Sequence, residues 1–148
     1  MEVKIYTDGA CTGNPGPGGW AAIIINGKEK KEISGGEKLT TNNRMELTAA
    51  IKALEYFDIQ NKKQLSLKNI IIFTDSTYVK DGITNWINKW ENNNWKTADK
   101  KNVKNIDLWR KLKDLTKSKQ ITWQWIKGHS NNPMNDLVDE LAKKATPI

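Results

Sequence analysis

The chain has 148 residues, with 24 Lys and Arg against 17 Asp and Glu and a formal net charge of +7. That length suits one compact domain with a real core and is too short for two ordinary ones, while the charge favours polyanionic partners over a neutral small-molecule role. A single cysteine, Cys11, excludes an internal disulfide framework and suits a reducing compartment.

No apolar run reaches the roughly 18 residues needed to cross a bilayer, and Met1 to Ile5 lead into a strand-like pattern instead of a secretory signal. A soluble, cytoplasmic protein is expected. Val3 to Thr7 alternate apolar with polar or amphipathic residues and stop at Asp8-Gly9, which predicts a first strand. Cys11 to Gly19 holds Asn14-Pro15-Gly16-Pro17-Gly18-Gly19 and reads as a shaped loop. Trp20 to Ile25 and Lys28 to Glu37 flank Asn26-Gly27, the signal for a type I′ hairpin. The chain thus opens with three strands in an antiparallel meander.

From Asn43 the period becomes helical: Leu47, Ala50, Ile51, Leu54 and Phe57 form one stripe that runs to about Asp58. Asn69 to Thr74, with Ile70-Ile71-Ile72-Phe73, reads as a strand buried on both faces. Short helices follow from Ser76 and from Asp81 or Thr84 to about Glu91. Asn92 to Lys104 is polar and aperiodic and predicts a projecting loop. A helix at about Asn105 to Thr116, a strand at Ile121 to Ile126 and a last helix from about Asn132 to Ala145 complete the chain. A meander followed by alternating helix and strand implies an α/β fold, a mixed sheet with helices packed on its faces.

The chemistry concentrates in carboxylates. Asp8 and Asp75 end two apolar strands in the near-identical strings Tyr6-Thr7-Asp8-Gly9 and Phe73-Thr74-Asp75-Ser76. A crossover helix would make those strands parallel neighbours with both carboxylates at one edge. Like charges placed that close favour a divalent cation with oxygen ligands between them. Taken singly, each Asp could equally end a strand or cap a helix. Glu46 lies in the first turn of the long helix, and Asn43-Arg44-Met45-Glu46 also has capping-box spacing, so a cap and a metal ligand stay open. In the last helix Asp136, Asp139 and Glu140 are available. Asp139 and Glu140 flank the buried face on opposite sides, and periodicity does not choose between them.

Tyr6-Thr7-Asp8-Gly9-Ala10, Gly13 to Gly19, Thr40-Thr41-Asn42-Asn43-Arg44-Met45-Glu46-Leu47, Thr74-Asp75-Ser76, Trp95-Lys96-Thr97-Ala98-Asp99, Lys127-Gly128-His129 and Asp139-Glu140-Leu141-Ala142, taken in order, resemble the bacterial-type type 1 ribonuclease H family. The match spans nearly the whole chain. The resemblance implies the ribonuclease H-like fold, a five-stranded mixed sheet, over a single catalytic domain, 1–148. It implies Asp8, Glu46, Asp75 and Asp139 as ligands of two Mg²⁺ or Mn²⁺ ions. It further implies hydrolysis of the RNA strand of RNA–DNA hybrids, leaving a 5′-phosphate and a 3′-hydroxyl. By the same analogy Asp8 bridges both ions, Asp139 serves the water-activating ion, and Glu46 with Asp75 hold the leaving-group ion. His129, the sole histidine, would be a solvated loop residue on its own merits; the resemblance gives it an accessory catalytic role.

For substrate, Asn14, Asn42 and Asn43 carry amides suited to minor-groove edges and 2′-hydroxyls, although ordinary turn chemistry also explains them. The resemblance makes them readers of the RNA strand, with backbone near Cys11 contributing. It also implies a basic protrusion that grips DNA, with Trp86 near deoxyribose and Thr41 with Asn105 near a DNA phosphate. Trp86, Trp90, Trp95 and Trp109, spaced along helices, are expected mostly in the core. Two departures are visible: Glu91-Asn92-Asn93-Asn94 replaces basic residues at the protrusion's base, and Thr77 stands where glutamine is common. The first either weakens the DNA grip or shifts it toward Lys96, Lys100 and Lys101. A monomer with no obligate protein partner is implied. The competing readings are another nuclease or recombinase core on the same sheet, acting on DNA, and a non-catalytic hybrid-binding module.

Overall fold

The computed structural model describes residues 2–60, 69–97, 99–117, 119–128 and 132–147. Strands β1 (Glu2–Cys11), β2 (Gly16–Asn26) and β3 (Glu29–Thr40) form the meander, and helix α1 (Asn42–Gln60) leads to β4 (Asn69–Thr74). Helix α2 (Thr77–Asp81), a π-helical turn (Gly82–Trp86), α3 (Ile87–Asn92), α4 (Ile106–Thr116), β5 (Gln120–Trp125) and α5 (Pro133–Ala145) follow. The sheet order is β3-β2-β1-β4-β5. β1 pairs antiparallel with β2 and parallel with β4, and β4 pairs parallel with β5. The predicted α/β mixed sheet is present, with three antiparallel strands first.

The period-2 pattern sorts side chains onto two layers. Val3, Ile5, Ala22 and Ile24 meet α1 and the α4 side, whereas Ala21 and Ile23 pack with Val138 and Ala142 of α5. Tyr6 is on the α5 side too, stacked on Phe73 with ring centroids 4.4 Å apart. β4 alternates accordingly: Ile70, Ile72 and Thr74 are buried while Ile71 and Phe73 are half-covered. Its second face is therefore less enclosed than the apolar run predicts.

Several predicted boundaries move. β1 does not stop at Asp8-Gly9 but runs on to Cys11, with Asp8 opposite Ala21. Half of the expected Gly-rich loop is strand, because Gly18 and Gly19 pair with Cys11 and Ala10. The hairpin turn is Gly27-Lys28, since Asn26 pairs with Glu29. Only Gly27 has positive φ, at 64°; a glycine at the first central position belongs to type II′, not type I′. The two short helices form one continuous helical stretch interrupted by the π turn, where Gly82 packs so closely on Trp109 that an added Cβ would lie 2.0 Å from its ring.

Trp109 is fully buried, Trp90 and Trp95 are half-buried but pack against the same core, and Trp86 is half-buried against Tyr78 and Trp90. The core assignment holds for three of the four, Trp86 being the exception. Farther along, Lys119 beside β5 reaches back to α1, its side chain 3% exposed and its Nζ 2.9 Å from Asp58. Asp58→Ala leaves that ammonium buried without its counter-charge and should cost about 3 kcal/mol in thermal or urea unfolding.

Candidate active site

Each carboxylate is delivered by a different element. Asp8 lies within β1, and Asp75 follows the last residue of β4. The parallel register Tyr6↔Phe73 sets Asp8, inside β1, beside the end of β4, where Asp75 follows. Asp75 is not the helix cap that its position permits, because Ser76 Oγ takes that role by accepting from Val79 N–H at 3.1 Å. Trp125 Nε1 donates to the Asp75 carbonyl at 3.1 Å and ties β5 to the same point.

Glu46 resolves in the same manner. The α1 cap is Thr41, whose Oγ1 accepts from Arg44 N–H at 3.2 Å. Glu46 instead turns across the sheet edge and accepts from the Gly9 N–H. This contact needs a residue without Cβ at position 9, since a Cβ there would lie 2.4 Å from Glu46 N and 2.5 Å from Met45 C. Gly9 thus lines the cluster, a role that its Asp-Gly pair, a strand-stop signal in the sequence, does not reveal.

Oxygens of Asp8, Glu46 and Asp75 all lie within 4.8 Å of one another. Asp139 comes from α5, on the face where Asp8's neighbour in parity, Tyr6, also packs, and it interacts directly with Asp8. Lys143, one turn on, reaches Asp139 Oδ2 at 3.0 Å. Glu140 points elsewhere, is exposed, and pairs with Lys144 at 3.3 Å. Geometry thus separates the two acids that the helical wheel left equivalent.

Burial, then the negative charges of Asp75 and Asp139, push Asp8 up to about 8, against a hydrogen bond with Glu46 that lowers it. Burial and the charge on Asp8 hold Glu46 well above the usual carboxylate range, despite the Gly9 N–H. Asp75 is raised as well, by burial first and then by Asp139, while hydrogen bonds with Asp8 and Glu46 work the other way. Among the described residues Asp8 Oδ2 is buried with no hydrogen-bond partner. An orphaned acceptor inside converging carboxylates is a donor set suited to a hard divalent cation, Mg²⁺ or Mn²⁺, with all-oxygen ligands.

Residues 1–146 match the family model for RNase H. The chain belongs to the RNase H family. The ribonuclease H of Maricaulis maris is 53% identical over 142 residues, covering 96% of this chain and 91% of that protein. LC9-RNase H1, a type 1 RNase H with the type 2 active-site motif, superposes with a TM-score of 0.84 at 28% identity, over 97% of this chain and 71% of its own. LC11-RNase H1, solved in complex with an RNA/DNA hybrid, shares the fold with a TM-score of 0.73 at 24% identity, over 97% and 98% of the two chains. The type 1 resemblance read from the motifs is borne out, and this member of the RNase H family is an enzyme, a nuclease of that class.

The other predicted residues surround this cluster in two groups. Asn14 Oδ1 accepts from the Asn42 N–H at 3.1 Å, so the loop after β1 and the start of α1 form one surface, with Asn43 exposed beside them. Cys11 Sγ lies 3.5 Å from the carbonyls of Gly16 and Thr40 and ties those loops together. Thr77 is exposed in the first turn of α2. The second group is Trp86, half-buried against Tyr78 and Trp90, with Asn105 and Thr41 near the start of α4 and α1. His129 lies outside the described residues. Gly128, just before it, is beside the cluster, with a Cβ there 3.5 Å from Asp75 Oδ2.

Proposed function

We propose that this chain hydrolyses the RNA strand of RNA–DNA hybrids by a two-metal-ion displacement that leaves a 5′-phosphate and a 3′-hydroxyl. The observation that carries the reading is the cluster itself: three buried or half-buried carboxylates converging within 4.8 Å, with Asp139 against Asp8. Asp8, Glu46, Asp75 and Asp139 hold Mg²⁺ or Mn²⁺. Divalent cations bound there supply positive charge to the attacking and leaving oxygens of an in-line displacement. The chain's own part is to keep the four carboxylates fixed and oriented. Gly9 holds Glu46 by its N–H, and Trp125 with the Ser76 cap hold the turn that carries Asp75.

Hybrid is the substrate that the rest of the surface supports. Asn14, Asn42 and Asn43 present amides from one connected surface, and discrimination of RNA from DNA needs contacts to 2′-hydroxyls. Trp86, Thr41 and Asn105 form the DNA-strand side, and the reading is supported by LC11-RNase H1, a protein of the same fold solved in complex with an RNA/DNA hybrid. Lys96, Lys100 and Lys101 are exposed in the protrusion, so affinity falls with added salt. We read residues 1–148 as one catalytic domain, working as a monomer in the cytoplasm. Among the described residues no helix is long and apolar enough to cross a membrane.

The test is a panel of RNA–DNA hybrid, single-stranded RNA, duplex RNA and duplex DNA, with the product ends labelled. Cleavage of RNA in the hybrid alone, with 5′-phosphate and 3′-hydroxyl termini, is expected. Equal cutting of all four, or cutting of duplex DNA with the hybrid intact, overturns the reading in favour of another nuclease of this fold. Within α5, Asp139→Asn should lower kcat at least a hundredfold, an interaction of about 3 kcal/mol, while Glu140→Gln leaves kcat within twofold. His129→Ala should lower turnover without abolishing it, as steady-state kinetics will show; complete inactivity in a folded variant contradicts an accessory role.

A further inference from the structure

Asn105 is the N-cap of α4, with φ 60° and ψ 30°, yet its side chain does not cap that helix. An asparagine there ordinarily accepts from the second or third helical N–H. Its amide is used elsewhere: Oδ1 accepts from Arg44 Nη1 at 3.2 Å, and Nδ2 donates to the Tyr78 hydroxyl at 3.1 Å. Arg44 is gripped in turn by Asp107, with Nη1 to Oδ1 at 3.1 Å and Nη2 to Oδ2 at 2.8 Å. Trp109 Nε1 donates to the same Tyr78 hydroxyl at 3.1 Å. Helices α1, α2 and α4 therefore meet on one amide.

The partners dictate which way that amide faces. A guanidinium has donors and no acceptor, so the atom opposite Arg44 must be the oxygen. The NH₂ is forced to the other side, where one hydrogen goes to Tyr78 and the second is left for a ligand. The Tyr78 oxygen already accepts twice, so toward any further group it offers its proton. Beside them is a cleft of about 350 Å³ with an apolar floor that includes Trp90 and Val103 and with Tyr78, Asn105, Lys101 and Lys104 as polar lining. Asp99 shares that wall, 3.8 Å from Lys101 Nζ. Donors and lysines together suit an anion.

We propose that Arg44 is a positioning residue that locks the Asn105 amide with its NH₂ toward this cleft, Tyr78 steadying the other end, to seat a phosphate of the DNA strand. The proposal rests on the reading of Asn105 as a DNA-phosphate contact. Arg44 is neutralised by the two-point pair with Asp107, so its influence passes through Asn105 and not through its charge. A lysine does not reproduce it, because an ammonium lacks the fork.

Steady-state kinetics on a hybrid, with thermal melts of every variant, test this. Asn105→Ala should raise KM about tenfold with kcat within twofold. Arg44→Met and Arg44→Lys should each raise KM about threefold, a fraction of the loss of the amide itself. Arg44→Met combined with Asn105→Ala should be no worse than Asn105→Ala alone, since nothing remains to be oriented. Asn105→Asp is the sharpest variant: a carboxylate is the better partner for Arg44, but it turns an oxygen on the phosphate. KM should rise at least as far as in Asn105→Ala while the melting temperature does not fall. A merely structural Asn105 gives the opposite, a stable Asn105→Asp variant with wild-type KM.

Unchanged KM in Asn105→Ala removes the phosphate reading and this proposal with it. A raised KM there, with wild-type KM in Arg44→Lys or losses that simply multiply in the double variant, leaves the phosphate reading standing and overturns the positioning role.

Discussion

Asp8→Asn should abolish cleavage and, in chelator, make the protein more stable. The first effect follows from removing the carboxylate on which the other three converge, at least a thousandfold in kcat if cation-held charge stabilisation is worth several kcal/mol. The second follows from burial: Asp8 is 3% exposed with one oxygen unpartnered, and its pKa is pushed up to about 8 from the ordinary 3.8. The folded protein therefore prefers the protonated form. Below about pH 4 both folded and unfolded states hold the proton and the contribution of this group is fully favourable. As pH rises toward 8 the unfolded chain ionises and the folded one resists, so stability is lost across that window. Glu46 and Asp75 are raised too and act with the same sign.

In chelator the wild type should thus lose melting temperature from pH 4 to 8 more steeply than Asp8→Asn, and the variant should lead by about 2–4 kcal/mol near pH 8, the scale of an uncompensated buried charge. Mg²⁺ should raise the wild-type melting temperature and leave the variant nearly unmoved. Thermal melts across pH with and without Mg²⁺ decide it; a variant less stable than wild type in chelator throughout contradicts the assignment.

Gly9→Ala should be the most damaging change that leaves every carboxylate in place. Its Cβ would lie 2.4 Å from Glu46 N and 2.5 Å from Met45 C, both main-chain atoms that cannot swing aside. Either α1 backs away from β1 or the strand shifts, and both break the Gly9 N–H contact that aims Glu46. Forced overpacking of this kind costs about 3 kcal/mol, and a misplacement near 1 Å can cost about a hundredfold in rate. Gly27→Ala is the control: nothing lies within 4 Å of its Cβ, and only its φ of 64° opposes the change. That variant should lose about 1–2 kcal/mol and keep its kcat. Urea unfolding with kinetics at low temperature separates the two; equal kcat in both variants removes Gly9 from the site.

What the sequence made legible depends on how local the controlling contact is. β4 is found at Asn69–Thr74 as predicted, because an uninterrupted apolar run bounded by polar residues has one sensible pairing. The antiparallel meander and the parallel β1–β4 pair followed from a hairpin signal and one crossover helix. The strand ends did not, because glycines that look like turn residues serve instead as close-packed strand positions, Gly18 against Thr40 and Met45 and Gly19 under α5. A Cβ on Gly19 would meet the Ala142 carbonyl at 2.2 Å. Such tightness is set by an element more than a hundred residues away.

The site divides along the same line. Asp8 and Asp75 were legible as a pair from strand-end placement. Glu46 was not separable from a capping residue until Thr41 was seen capping α1 and the Gly9 N–H was seen 37 residues back in the chain. Asp139 and Glu140 are equivalent on a helical wheel and differ only in which wall they face, Asp8 or solvent. Arg44 and Tyr78 escaped entirely, since Asn105 recruits them from 61 and 27 residues away.

The carboxylate cluster is expected to cut the RNA of an RNA–DNA hybrid only when it holds divalent cations. Cleavage of a labelled hybrid by wild type and by Asp8→Asn, each with Mg²⁺ and with chelator, measures this. Cutting by the wild type in Mg²⁺ alone is the expected result. Cutting that persists in chelator, or that survives Asp8→Asn, rules out metal-dependent cleavage by these carboxylates.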